Sequence, residues 1–161
     1  MAPVVLVIDD DALVRAVVAA ACGDEFELRL CATVAEAEVV LASETVAVAV
    51  VDQHLGAGQP CGLDHLVALA ERLPDCYRVL FSGDLDHVLL LEAINRGHID
   101  AFLGKPCRRE QVVALFRQGC GTAKLRRDNR DLVRQLAERN AELEQAALRL
   151  ERSITERTVH L

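Results

Sequence analysis

Four aspartates, a serine and a lysine stand where apolar runs stop. VVLVI is followed by Asp9, Asp10 and Asp11, VAVAVV by Asp52, VLF by Ser82, and AFLG by Lys105. Carboxylates gathered in one place oppose each other's ionisation unless a cation lies between them, and Mg²⁺ takes carboxylates, a carbonyl and waters. One carboxylate of such a set can attack phosphorus while the metal and an ammonium neutralise the equatorial oxygens and a hydroxyl donates to another. Taken singly, each residue has a plain reading as a helix cap, a loop residue or a turn. Taken together, acid, acid, hydroxyl and ammonium point to a site for a divalent cation and a phosphoryl group.

That chemistry requires elements that deliver all of these residues to one edge. Apolar runs fit buried strands at 4–8, 26–31, 46–51, 79–81 and 99–103. Helical patterns lie between them. Asp11 can cap a helix running to about Cys22, and TVAE at Thr33 is a capping box for a second helix closing near Ser43. A third helix is predicted from about Leu63 to Leu73 before Pro74, a fourth from Asp86 to Arg96 before Gly97, and a fifth after Pro106. Strict alternation of strand and helix implies an α/β fold, a doubly wound parallel sheet covered on both faces, with ligands bound beyond the carboxyl ends of its strands.

Composition agrees. The 161 residues are 52% hydrophobic and only 3% aromatic, so Ala, Val and Leu build the core, and the formal net charge of −7 argues against a general nucleic-acid surface despite the basic KLRRDNR at Lys124–Arg130. The apolar start is cut short by carboxylates and has no basic leader, so neither a signal peptide nor a membrane span is predicted, and a cytoplasmic setting is expected. Six cysteines show no CxxC spacing and read as free thiols. His54, Cys61 and His65 match no common zinc pattern.

Beyond Gly119 and Gly121 apolar residues thin out and a long helix is predicted from about Thr122. Val133, Asn140, Ala147, Ile154 and Leu161 fall at heptad position a, with Leu136, Leu143 and Leu150 at d. A solvated single helix has no use for leucine at every seventh position. Asn140 at a favours parallel two-stranded register, and Arg139 would face Glu144 of the second strand. A parallel homodimer through 122–161 is the expectation, with domains at 1–118 and 119–161.

The segments LVIDDD, AVVDQHL, VLFSG and FLGKP, with AINRGHIDAFLGKP, resemble the response-regulator receiver family of two-component signalling over about Val4 to Gln118. The resemblance implies a flavodoxin-like strand order 2-1-3-4-5. It implies that Asp52 is the phosphoacceptor, that Asp10, Asp52 and the backbone carbonyl of His54 hold Mg²⁺, and that Asp9 assists through water. It also makes Ser82 and Phe102 a switch pair, with Lys105 beside the phosphoryl group, and places His54 and Asp84 where the family tunes phosphoryl lifetime. Gly56 replaces the family's usual proline, and GAGQPCG lengthens the loop before Gly62.

The function expected is reception of a phosphoryl group from a histidine kinase or phosphotransfer protein and its transmission to a coiled-coil dimer. A receiver-like adaptor that takes no phosphate is the alternative, opposed by the intact set of Asp9, Asp10, Asp52, Ser82 and Lys105. A metal-dependent phosphatase lacks the DxD nucleophile motif. ERSITERTVHL resembles linkers that precede signalling output domains, so a further domain beyond these residues is expected.

Overall fold

The structure is a computed structural model that describes residues 2–84, 87–96 and 98–160. The expected helix start at Asp86, its stop at Gly97 and the last seam position, Leu161, lie outside the described residues. Strand and helix alternate along the chain as β1 (Val4–Ile8), α1 (Ala12–Cys22), β2 (Glu27–Cys31), α2 (Val34–Ser43) and β3 (Val46–Asp52). There follow α3 (Gly62–Arg72), β4 (Tyr77–Ser82), α4 (His87–Asn95), β5 (Ala101–Gly104) and α5 (Arg109–Val159). The strands form one parallel sheet in the order β2-β1-β3-β4-β5.

A parallel sheet covered on both faces needs strands that are apolar on both faces. In β1, Val5, Leu6, Val7 and Ile8 are all fully buried. Successive residues serve opposite cores: Leu6 and Ile8 pack with Leu66, Leu69 and Ala37, while Val5 and Val7 pack with Val18, Val112 and Phe116. The first core thus lies under α2, α3 and α4 and the second under α1 and α5. Each fully buried Val or Leu contributes roughly 1.5–3 kcal/mol, which is why the central strands hold a fixed register.

The helix starts follow their caps. Asp11 accepts the Leu13 N–H at 2.9 Å, and Thr33 Oγ1 accepts the Glu36 N–H at 3.2 Å while the Glu36 carboxylate accepts the Ala32 N–H at 2.7 Å.

Several boundaries differ from those expected, β5 beginning at Ala101 and not at 99 among them, and two of the differences have a packing reason. β4 begins at Tyr77, because Arg78 is buried and its guanidinium is absorbed by carbonyl oxygens of Cys76 and His98, both at 3.0 Å. The helix predicted from about Thr122 is continuous with the one after Pro106. Gly119 does not break it; a β-carbon there would lie 2.7 Å from the Tyr77 ring and 2.8 Å from Val48, so glycine lets α5 approach the sheet.

The chain divides into two units, Met1–Lys124 and Leu125–Leu161. The first carries the sheet. The second is helical and leaves Val133, Leu136, Leu143, Leu150 and Ile154 between 57% and 67% exposed. No helix among the described residues is long and apolar enough to cross a membrane. All six cysteines are unpaired thiols, and burial pushes Cys22 up to about 11.

Candidate functional site

The ladder register decides which residues meet at the carboxyl edge. Ile8 pairs with Val51, Asp52 with Phe81, and Ser82 with Gly104. Asp9, Asp52, Ser82 and Lys105 therefore emerge side by side from adjacent strands. One carboxylate oxygen from each of Asp9, Asp10 and Asp52 lies within 4.8 Å of the others.

The three carboxylates differ in what surrounds them. Asp9 is fully buried and both of its oxygens are engaged, Oδ1 by the Asp11 N–H at 2.9 Å and Oδ2 by Lys105 Nζ at 2.7 Å. Arg15 Nη1 donates to the Asp9 carbonyl at 2.7 Å and so ties the end of β1 to α1. Asp52 is 6% exposed and stands 3.3 Å from Lys105 Nζ. Asp10 alone is exposed. Asp11, adjacent in sequence, belongs to the helix cap and not to the cluster.

Lys105 is set by both backbone and ring. Its N–H donates to the Ser82 carbonyl at 2.9 Å, and its ammonium lies 4.8 Å from the centre of the Phe81 ring. The Ser82 hydroxyl is buried at the same edge but engages the Asp84 backbone, accepting its N–H at 3.2 Å and donating to its carbonyl at 3.3 Å. Phe102, opposite Leu80 on β5, is partly buried against the core that includes Leu80 and Ala93. His54 is exposed, and its backbone favours the charged form of Asp52.

The charges are left unbalanced. Burial and then the neighbouring Asp9 charge push the Asp52 carboxyl above its ordinary value; Lys105 and the His54 backbone pull it down without cancelling the rise. Burial works against the Lys105 ammonium, but the hydrogen bond to Asp9 and the charges of Asp52 and Asp9 outweigh it and hold its pKa up. Three carboxylates facing one ammonium, with Asp10 open to solvent, suit a hard divalent cation that keeps part of its water. The donor set fits Mg²⁺.

Sequence reasoning missed two residues that hold this arrangement. Arg15 sits one helical turn beyond the Asp11 cap, a spacing that offered a signal. Gln53 gave none: it looks like a loop residue, yet it accepts N–H groups from both of the first two residues of α3.

No family model matches the chain. It is 30% identical over 129 residues to an NtrX-like response regulator of Rickettsia bellii, an alignment covering 80% of this chain and 27% of that protein. The chain thus spans about a quarter of the length of the curated relatives it matches. Among solved structures, the signal receiver domain of an HD domain-containing protein from Pseudomonas fluorescens Pf-5 superposes with a TM-score of 0.72 at 25% identity, covering 79% of this chain and 93% of that one. NtrX from Brucella abortus superposes with a TM-score of 0.74 at 26% identity, covering 82% of this chain and 30% of that one. These likenesses cover the part of the chain that builds the five-stranded sheet, and the chain carries a receiver domain of the response-regulator family.

Proposed function

We propose that Asp52 accepts a phosphoryl group from a phosphohistidine on a histidine kinase or phosphotransfer protein. The observation that carries this reading is the meeting of three carboxylates and one ammonium at a single sheet edge, with Asp52 buried among them. An Asp52 carboxylate oxygen attacks phosphorus; the new P–O bond forms as the P–N bond breaks, and the departing imidazole keeps the electron pair and takes a proton from water. Lys105 lies where it neutralises an oxygen of the transferred group. Asp10, Asp52 and the His54 carbonyl would hold Mg²⁺, with Asp9 assisting through water. The ion supplies positive charge against both the carboxylates and the phosphoryl oxygens.

An apolar groove of about 620 Å³ opens between α1 and the start of α5, lined by Leu13, Val17, Phe81, Lys105, Pro106 and Cys107. Because Lys105 belongs to both groove and site, a helix bearing the phosphohistidine that lies in the groove delivers it beside Asp52. After transfer, the Ser82 hydroxyl leaves the Asp84 backbone for the phosphoryl group and Phe102 turns inward behind it. The domains are a receiver at 1–118 and a helix at 119–161 that pairs in parallel with a second copy through 122–161, burying its exposed leucine seam.

Incubation of the protein with Mg²⁺ and acetyl phosphate, followed by intact mass, tests the reading. Wild type is expected to gain one phosphoryl group and Asp52→Ala none. An adduct that persists in the variant, or never forms in wild type, refutes it.

A further inference from the structure

The loop from His54 to Cys61 presents the His54 backbone to Asp52, yet little in its own composition holds it in shape. Gly56 and Gly58 take the left-handed conformation, with φ of 98° and 77°, and most of its residues are exposed. Its order must come from its base and from Leu55, which is buried in the core at 4% exposure.

The base is a single residue. The Gln53 N–H donates to the Phe81 carbonyl at 3.1 Å, its carbonyl accepts the Gly62 N–H at 3.1 Å, and its side-chain Oε1 accepts the Leu63 N–H at 3.0 Å. Gln53 therefore joins β4, the acidic strand end and the first turn of α3. Cys61, at the N-cap of α3, provides no side-chain bond to the helix. A donor that a local cap would normally satisfy is satisfied from ten residues upstream instead.

No slack separates this joint from the site. A β-carbon on Gly62 would lie 2.2 Å from the Asp52 carbonyl oxygen and 3.0 Å from the Gln53 Cα. The start of α3 presses on the Asp52–Gln53 peptide, so a shift of that helix moves the Asp52 backbone.

We propose that Gln53 is a positioning residue for the cation site, fixing the His54 backbone relative to Asp52 by closing the 54–61 loop onto α3. This rests on the reading of Asp52, Asp10 and the His54 carbonyl as the Mg²⁺ site. Groups that hold ligands in place typically change metal affinity about 10–100-fold when removed.

The test is Mg²⁺ titration of the full chain, without phosphodonor, followed by the backbone amide resonances of residues around Asp52, together with thermal unfolding in metal-free buffer. Gln53→Met keeps the length of the side chain and loses the acceptor. It is expected to weaken Mg²⁺ binding about tenfold. The double variant Gln53→Met, Cys61→Ser gives α3 a local cap and is expected to recover the thermal midpoint while Mg²⁺ stays weak. Unchanged Mg²⁺ affinity in Gln53→Met overturns the proposal alone, as does a double variant that recovers both properties, which would make Gln53 a helix cap only. Absence of Mg²⁺ binding in wild type overturns the cation site and this proposal with it.

Discussion

The two ends of β4 and its neighbours both bury charge, and they settle it in opposite ways. At the amino end, Arg78 is 6% exposed and donates to the carbonyls of Cys76 and His98, while its own N–H donates to Asp100 Oδ2 at 2.8 Å. At the carboxyl end, Asp9 and Asp52 share one ammonium, and the Asp52 carboxyl remains above its ordinary value because that ammonium does not suffice. A buried charge matched by its own chain is a fastening. A buried cluster with two carboxylates to one ammonium keeps negative charge that a cation would balance, and the same sheet supports both because strand ends present carbonyls and side chains that no ladder partner uses.

The comparison is broken most severely at Arg78. Arg78→Met leaves the Asp100 carboxylate and two carbonyls without the guanidinium, and stability is expected to fall by about 3–5 kcal/mol. Urea unfolding measures the loss, and Mg²⁺ is expected to restore none of it. Recovery on adding Mg²⁺ would show that the two ends are not independent.

Lys105→Met attacks the opposite end. Phosphoryl transfer from acetyl phosphate is expected to slow by about 10²–10³-fold, as for loss of one charge-stabilising donor in a transition state. The variant also leaves buried Asp9 without its ammonium, so it is expected to be destabilised in metal-free buffer and to recover part of that stability in Mg²⁺. A variant indifferent to Mg²⁺ would remove the cation from the account of this edge.

These two ends were unequally legible in the sequence. The site was readable because buried strands announce themselves as apolar runs, and the residue that ends each run is known once the strands are placed. Asp9, Asp52, Ser82 and Lys105 followed from that, as did the separation of Asp11 as a cap. Arg78 was not readable: a charged residue beside an apolar run looks like the outside of a strand, and only the carbonyls of Cys76 and His98, one of them twenty residues away, make its burial tolerable. Gly119 misled for a related reason. It reads as a helix stop, but the rings and methyls of Tyr77 and Val48 across the core decide its role. Gln53 shows the same limit, since its partners belong to a helix that begins after an eight-residue loop.

The tail extends the comparison to a polar group on a helix that the sheet does not bury. Asn140 is exposed on the leucine-bearing helix, and in a parallel pair it would meet its twin. Asn140→Leu is expected to make the assembly more stable and less strict, with light scattering giving masses above the dimer. A mass that stays strictly dimeric counts against the heptad register of Val133, Leu136 and Leu143.

The smallest effect is expected from a third kind of buried polar group, one with neither a matching partner nor a place in the site. His65 on α3 is 6% exposed, and its Nε2 has no hydrogen-bond partner. Burial pushes its pKa below 6.5, with Glu38 of α2 pulling it up and Arg72 of α3 pushing it further down. The folded protein therefore resists a proton that the unfolded chain accepts. Stability from this residue is complete above pH 6.5 and declines as pH falls from there toward the lowered folded value. His65→Leu is expected to remove that part of the slope and to gain about 1 kcal/mol in acid, since an apolar replacement leaves no orphaned acceptor. Unfolding measured between pH 5 and pH 7 decides it: an undiminished slope in the variant would take the acid sensitivity away from His65, and the carboxylate edge would not account for it either, because a carboxyl raised by folding, as at Asp52, makes the protein more stable as pH falls.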